Sequence, residues 1–177
     1  MPKPIITTAR LVLRPPVLAD AEAIFSSYGQ DPDVTRYLIW RPHASLEDTR
    51  AFVQTCIDAW AGGVRLPWVI TRAGDGRLLG MLEARIDDGF KVSVGYVLAR
   101  EHWGHGYTPE ALRAVIDQFW QQPDVFRIWA ICDVENPASA RVMQKVGMVY
   151  EGTLRRFVRH PNAGAEPRDA HCYALTR

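Results

Sequence analysis

The sequence predicts a mixed α/β domain, and three observations predict it. Hydrophobic spacing switches repeatedly between a period of two and a period near 3.6, which puts strands and helices in alternation along one chain. Short turns rich in Gly and Asp join successive strand-like runs, and turns of that length imply antiparallel neighbours. A glycine-punctuated junction, Trp103-Gly104-His105-Gly106-Tyr107, carries one apolar run straight into a helix start. The resulting order, β α α β β β α β α β β, is that of a single mixed domain over residues 1–177.

The first strand is read in TARLVLRPP, residues 8–16, where Leu11 and Leu13 alternate with polar neighbours before two prolines. Asp20 to Tyr28 follows as a short helix, with Ala21, Ile24, Phe25 and Tyr28 at helical spacing. Ser45-Leu46-Glu47-Asp48 has the form of an N-cap with an acid three residues on. Behind it Phe52, Val53, Cys56, Ile57 and Trp60 make one apolar face, and Gly62-Gly63 ends the helix. Trp68–Thr71, Leu78–Ile86 and Lys91–Leu98 read as strands, separated by turns at 73–77 and 87–89. After the glycine junction, Leu112, Val115, Ile116 and Phe119 form a helical stripe that stops at Pro123. Arg127–Cys132 is a strand. Asn136-Pro137 opens a helix carrying Val142, Met143 and Val146, closed by Gly147. Tyr150–Val158 and Ala170–Thr176 are the last strands, with the polar loop HPNAGAEPR between them.

Composition narrows the function. With 47% hydrophobic and 23% charged residues the chain is ordinary for a globular domain, and its length suffices for a proper core. A formal net charge of +1 argues against electrostatic wrapping of nucleic acid. No run approaches the roughly 18 apolar residues of a membrane span, so no membrane partner is expected. The opening MPKPIITTARLVLRP lacks an apolar leader core. Cys56, Cys132 and Cys172 are odd in number and far apart, which suggests a reducing compartment without a disulfide framework. The expected location is the cytoplasm. His102 and His105 sit three apart but have no Cys or acidic companion at metal-site spacing, so no metal is expected.

The glycine junction suggests an anion cradle. Gly104 and Gly106 permit positive φ and close approach of a ligand. Successive N–H groups in such a turn form a concave donor surface, and a helix start adds unpaired donors and the positive end of a macrodipole. Thr108 reads as the N-cap, with Pro109 at the first helical position and Glu110 in the first turn. That combination suits a phosphate or diphosphate. A Walker loop would end in Gly-Lys-Ser/Thr, and a dinucleotide fingerprint would need a third glycine where Pro109 stands.

Trp103-Gly104-His105-Gly106-Tyr107 followed by Glu110-Ala111-Leu112 resembles the acyl-CoA diphosphate loop of the GNAT superfamily of N-acetyltransferases. NPASARVMQKVGM, residues 136–148, resembles the Asn-x-x-Ser-x-x-Val-x-x-Lys-x-Gly-Phe helix of its ribosomal-protein N-terminal acetyltransferase branch, with Met148 for the aromatic. RLVLRP at 10–15, EGTLR at 151–155 and RDAHCYAL at 168–175 extend the likeness over nearly the whole chain. The resemblance implies a mostly antiparallel, centrally splayed sheet of about six or seven strands flanked by about four helices. It implies acetyl-CoA as acyl donor, with no metal. Its pantetheine arm would pair with the backbone of Tyr96, Val97 and Leu98. Its diphosphate would meet the loop at Gly104, His105, Gly106, Tyr107, Thr108 and Pro109, where His105 and Tyr107 act through their backbones.

The likeness also assigns roles on the 136–148 helix. Asn136 matches an asparagine that bonds the pantetheine arm or nearby substrate; read from the residues alone, it is an N-cap before Pro137. Ser139 matches the position that protonates or hydrogen-bonds the departing thiolate. The tyrosine many members use as general acid falls on Met143, which has no proton to give. A base must also neutralise the acceptor ammonium, whose pKa is roughly 10. Glu83 and Asp133 are the first candidates for that base. Donors for the acyl oxygen are expected on the strand near Val97. Tyr37 and Trp40 fall in the region that shapes the acceptor groove. The implied activity is transfer of an acetyl group to a primary amine, of a small molecule or a protein N-terminus, in a ternary complex. The missing tyrosine leaves a second reading, a non-catalytic CoA- or acyl-CoA-binding regulatory domain. A homodimer is compatible with either.

Overall fold

The computed structural model describes residues 1–177. Eight strands form one sheet: β1 (Ile6–Thr7), β2 (Leu11–Arg14), β3 (Arg65–Arg72), β4 (Leu78–Asp87), β5 (Lys91–Leu98), β6 (Arg127–Asp133), β7 (Val149–Val158) and β8 (Arg168–Thr176). The helices are α1 (Asp20–Ile24), α2 (Pro32–Thr35), α3 (Leu46–Gly62), α4 (Tyr107–Trp120) and α5 (Pro137–Lys145). A π-helical turn, Phe25–Gly29, continues α1, which is where the sequence pattern placed the second half of a single helix. The two elements beyond the expected count are β1 and α2, of two and four residues.

Sheet order is β1-β2-β3-β4-β5-β6-β8-β7. Every pair is antiparallel except β5 with β6. That parallel pair joins only Lys91–Ser93 to Arg127–Trp129, and the strands diverge beyond it. A wedge therefore opens in mid-sheet, next to Tyr96, Val97 and Leu98.

Both faces of the sheet are covered, which explains the near-continuous burial of β3. On one face Ala111, Leu112, Val115, Ile116 and Phe119 of α4 join Leu11, Leu13, Trp68 and Leu82 in the larger core. Each large side chain so buried contributes roughly 1.5–3 kcal/mol. On the other face Ala21, Ile24 and Tyr28 meet Val53, Cys56, Val69 and Met81. The Ser45–Asp48 capping box forms as the sequence predicts, and Gly63 closes α3 at φ 67°. No helix is long and apolar enough to cross a membrane.

Candidate active site

The wedge opens into a cavity of about 880 Å³ lined by β5, the glycine junction, β6, the start of α5 and the segment after α2. Gly80 places its floor. A Cβ there would meet the Val97 carbonyl oxygen at 2.2 Å, so only glycine lets β5 pass this close to β4.

At the mouth, Gly104 and Gly106 adopt φ of 80° and 77°. The helix N-cap is Gly106, without any side-chain cap, so Thr108 is not the cap the sequence suggested. Thr108 lies inside the first turn and is buried. Pro109 follows it there, where its missing N–H would have had no partner anyway. The consequence is chemical: the amides of Gly104, His105, Gly106, Tyr107 and Thr108 donate to no group of the protein. They form a nest at the positive end of α4. The His105 ring turns onto Tyr107, stacked at 5.8 Å, and so contributes only backbone.

The sequence did not reveal what braces this loop. Arg10 of the turn before β2 donates from Nη1 to the His105 carbonyl at 3.0 Å and from Nε to Glu110 Oε2 at 2.7 Å. Its guanidinium lies 4.7 Å from the Tyr107 ring centre. Glu110 Oε1 accepts from Thr8 Oγ1 at 2.6 Å and from the Arg10 amide at 3.0 Å. Burial pushes the Glu110 carboxyl up, but these bonds outweigh it and hold the pKa below its ordinary value. Glu110 is thus an internal tie, and Arg141 and Lys145 of α5 line the same cavity.

Across the wedge, Asn136 does cap α5: its Oδ1 accepts the Ser139 amide at 3.1 Å. Its side chain also lines the cavity. Ser139 is held from the opposite wall, with the Tyr96 hydroxyl 2.8 Å from Ser139 Oγ and donating to the Ser139 carbonyl at 3.1 Å. Burial is the main cause that raises the Tyr96 phenol above its usual range, so it stays protonated. Met143 is fully buried in the core below. Tyr96 therefore reaches the site through its side chain as well as its backbone.

The two carboxylates expected to serve as base are both engaged. Glu83 lines the cavity but pairs with Arg65 at 2.7 Å and with Arg85. Asp133 is fully buried; its oxygens accept from Arg168 at 2.5 and 3.1 Å and from the Glu135 amide at 2.8 Å. Burial pushes the Asp133 carboxyl up, yet these donors hold it below its ordinary value. Such an ion-paired carboxylate is a poor proton acceptor, which weighs against Asp133 itself as the base. Cys132, on the same wall, is a neutral thiol pushed up to about 11 by burial and the neighbouring Asp133 charge.

Of the two aromatics expected at the acceptor groove, Tyr37 lines the cavity. Trp40 does not. Its ring packs on His43 and Phe52, 5.0 and 6.1 Å away, against α3. Its backbone matters more: the Asn162 side chain donates to the Trp40 and Thr35 carbonyls at 2.7 and 2.8 Å, pinning the groove segment to the β7–β8 loop. That loop also brings His160 to the cavity. No sequence signal marked either residue, since their partners lie over a hundred positions away in the chain for Asn162 and across an intervening strand for His160.

A splayed sheet with an uncapped glycine-to-helix nest at the mouth of its wedge presents a row of free donors suited to an anionic group. The comparisons with known proteins make the class specific. Residues 10–149 match the family described as the acetyltransferase (GNAT) domain. The chain is 30% identical over 176 residues to the uncharacterised N-acetyltransferase YoaA of Bacillus subtilis, covering 98% of this chain and 97% of that one. It is 32% identical over 114 residues to the ribosomal-protein-serine acetyltransferase of Escherichia coli, 63% of each chain. Among solved structures, RimL, a ribosomal L7/L12 α-N-protein acetyltransferase in complex with coenzyme A, superposes with a TM-score of 0.86 at 23% identity, covering 97% of both chains. The chain belongs to the GNAT acetyltransferase family and is an N-acetyltransferase.

Proposed function

We propose that the protein moves an acetyl group from acetyl-CoA to a primary amine by direct attack in a ternary complex. The observation that carries this reading is the row of amides from Gly104 to Thr108, none of which has an internal partner. Successive free donors at a glycine loop that runs into a helix start make an anion site. The cavity behind them fits the rest of the donor: unpaired β5 backbone for the pantetheine arm and Ser139 for the thiol end. Acetyl-CoA supplies the activated acyl group. The chain grips the diphosphate, aligns the arm and holds a hydroxyl for the leaving sulfur. Protonated, buried Cys132 is a weak nucleophile, which favours direct transfer over an acyl-enzyme. The acceptor is a protein N-terminus or a small-molecule amine. The names of the ribosomal-protein relatives make an α-amine the first to try.

The test is release of free CoA thiol from acetyl-CoA across a panel of N-terminal peptides, polyamines and amino acids. Turnover with at least one amine is expected; acetyl-CoA binding without turnover on any of them would leave only a binding domain. Gly106→Pro checks the cradle separately, because proline cannot adopt φ of 77°. It is expected to weaken acetyl-CoA binding at least about tenfold by calorimetry while the far-UV spectrum is retained, since the charge-assisted bonds of several aligned amides are lost.

A further inference from the structure

Tyr96 stands on β5 and Ser139 in the first turn of α5, on opposite walls of the wedge, and their side chains meet. The phenol oxygen lies 2.8 Å from Ser139 Oγ and 3.1 Å from the Ser139 carbonyl oxygen. Both residues line the cavity, and both are half-buried. A pair this close has two hydrogen arrangements. In one, the phenol donates to the Ser139 carbonyl and the serine hydroxyl donates back to the phenol, so neither proton faces the cavity. In the other, the phenol donates to Ser139 Oγ, and the serine proton is released toward the cavity. Negative charge beside Ser139 favours the second arrangement. We propose that Tyr96 is the positioning residue that makes the Ser139 hydroxyl a donor to the departing sulfur, which leaves as a thiolate rather than as a thiol.

The assignment rests on the acetyl-transfer reading and specifies how its leaving group is stabilised. Burial is the largest influence on the phenol and raises its pKa above the usual range; the Ser139 bond acts the other way, and Cys132 on β6 adds to the rise. A thiol ordinarily ionises at about pH 8.5. Transfer of a proton from either hydroxyl to a thiolate is therefore uphill, and both hydroxyls act as hydrogen-bond donors instead. The positive end of α5, capped by Asn136, lies beside Ser139 and supports the same charge. Arg141 and Lys145 of α5 line the cavity, as do Asp133 and Glu135, which are both paired to Arg168. Fixed donors aimed at developing charge are the strongest kind of help a site of this type can give.

Electrons and protons balance. The ammonium gives one proton to water, and the freed nitrogen pair attacks the thioester carbonyl carbon. The C–N bond forms as the C–S bond breaks, and the C–S pair leaves on sulfur. The Ser139 hydroxyl, itself accepting from Tyr96, donates a hydrogen bond to that sulfur without losing its proton. The second nitrogen proton passes to water, and the thiolate takes a proton from water once CoA is released.

Two measurements test this on the full-length protein, with Tyr96→Phe and Ser139→Ala made singly and together. Phenylalanine keeps the ring that packs on the larger core. The first measurement needs no turnover. CoA carrying ¹³C on the carbon next to sulfur is bound and titrated from about pH 6 to 10, a range that brackets the ordinary thiol value. The bound thiol is expected to ionise at lower pH in wild type than in either single variant, by about 0.5–1 pH unit, the scale of one charge-assisted hydrogen bond. The charged groups of the cavity are the same in every protein compared, so the differences isolate the hydroxyl pair. Once Ser139 is alanine, Tyr96→Phe should shift nothing further. An unchanged thiol in Tyr96→Phe overturns the proposal. So does a shift that persists without Ser139, because the phenol would then reach sulfur by itself. The second measurement is steady-state CoA release. Tyr96→Phe is expected to lower kcat about tenfold with acetyl-CoA affinity held within about twofold, and the double variant to match Ser139→Ala. Additive losses, or no loss in Tyr96→Phe, overturn it equally. Should wild type acetylate no amine, the acetyl-transfer reading loses support while the thiol titration still decides the role of the hydroxyl pair.

Discussion

At Asn136 a cap and a ligand contact compete for one side chain. The cap occupies Oδ1, which accepts the Ser139 amide, and leaves the side-chain amide N–H groups free on a residue that lines the cavity. Serine caps a helix about as well as asparagine but has no amide N–H to offer a pantetheine or acceptor group. Asn136→Ser is therefore expected to keep stability within about 0.5 kcal/mol and lower turnover roughly tenfold, the scale of one lost hydrogen bond. Asn136→Ala should lose turnover and about 1 kcal/mol of stability together. Urea titration and CoA-release kinetics read the two effects; unaltered kinetics in Asn136→Ser would reduce the residue to a cap. Asn136 was legible because its cap, its proline and its serine are all local. His160 was not, because its place beside Asp133 is set by long-range packing that leaves no trace in neighbouring residues. Trp40 misled for a related reason: an aromatic's type is visible in sequence, but which wall it faces depends on His43 and Phe52.

The elements with long, strongly periodic patterns could be read from sequence, β4, β5, α3 and α4, and all but α3 border the cavity. β1 and α2 are too short for periodicity to register, and α2, capped by Asp31 at 2.8 Å, gives the core a single apolar residue, Val34. The divergence of β5 from β6 is likewise invisible, because it depends on where pairing stops. Gly80 sets how closely β5 lies against β4. Gly80→Ala drives a Cβ into the Val97 carbonyl, a backbone atom that yields only if β5 shifts. Overpacking of this kind costs roughly 1–3 kcal/mol. The shift also moves the Val97 backbone expected to meet the cofactor, so acetyl-CoA affinity should fall alongside stability. Gly74→Ala is the control, since nothing lies within 4 Å of its Cβ. Equal acetyl-CoA affinity in a destabilised Gly80→Ala protein would show that β5 relaxes without disturbing the arm's track.

On the scale of the molecule, the sheet is continuous on paper and nearly divided in fact. β1–β5 and β6–β8 share three parallel register pairs, with α4 and the larger core bridging the two halves. An arm inserted along β5 with its diphosphate on α4 and its thiol end at α5 would touch both halves. It would supply the pairing that the seam lacks. Any ligand that binds only the native state stabilises by mass action, about 2.7 kcal/mol at a hundredfold excess over Kd. For a chain of this size that corresponds to a Tm rise of roughly 5–10 °C. The rise alone is non-specific, so its distribution is the sharper readout. Hydrogen exchange should slow most at Tyr96–Leu98 and at the Gly104–Thr108 amides, which have no protein partner to protect them in the free enzyme. The β1–β2 edge, remote from the seam, should change little. Thermal stabilisation without protection at those amides would place acetyl-CoA somewhere other than the wedge, because no seating across the seam leaves that row of donors free to exchange.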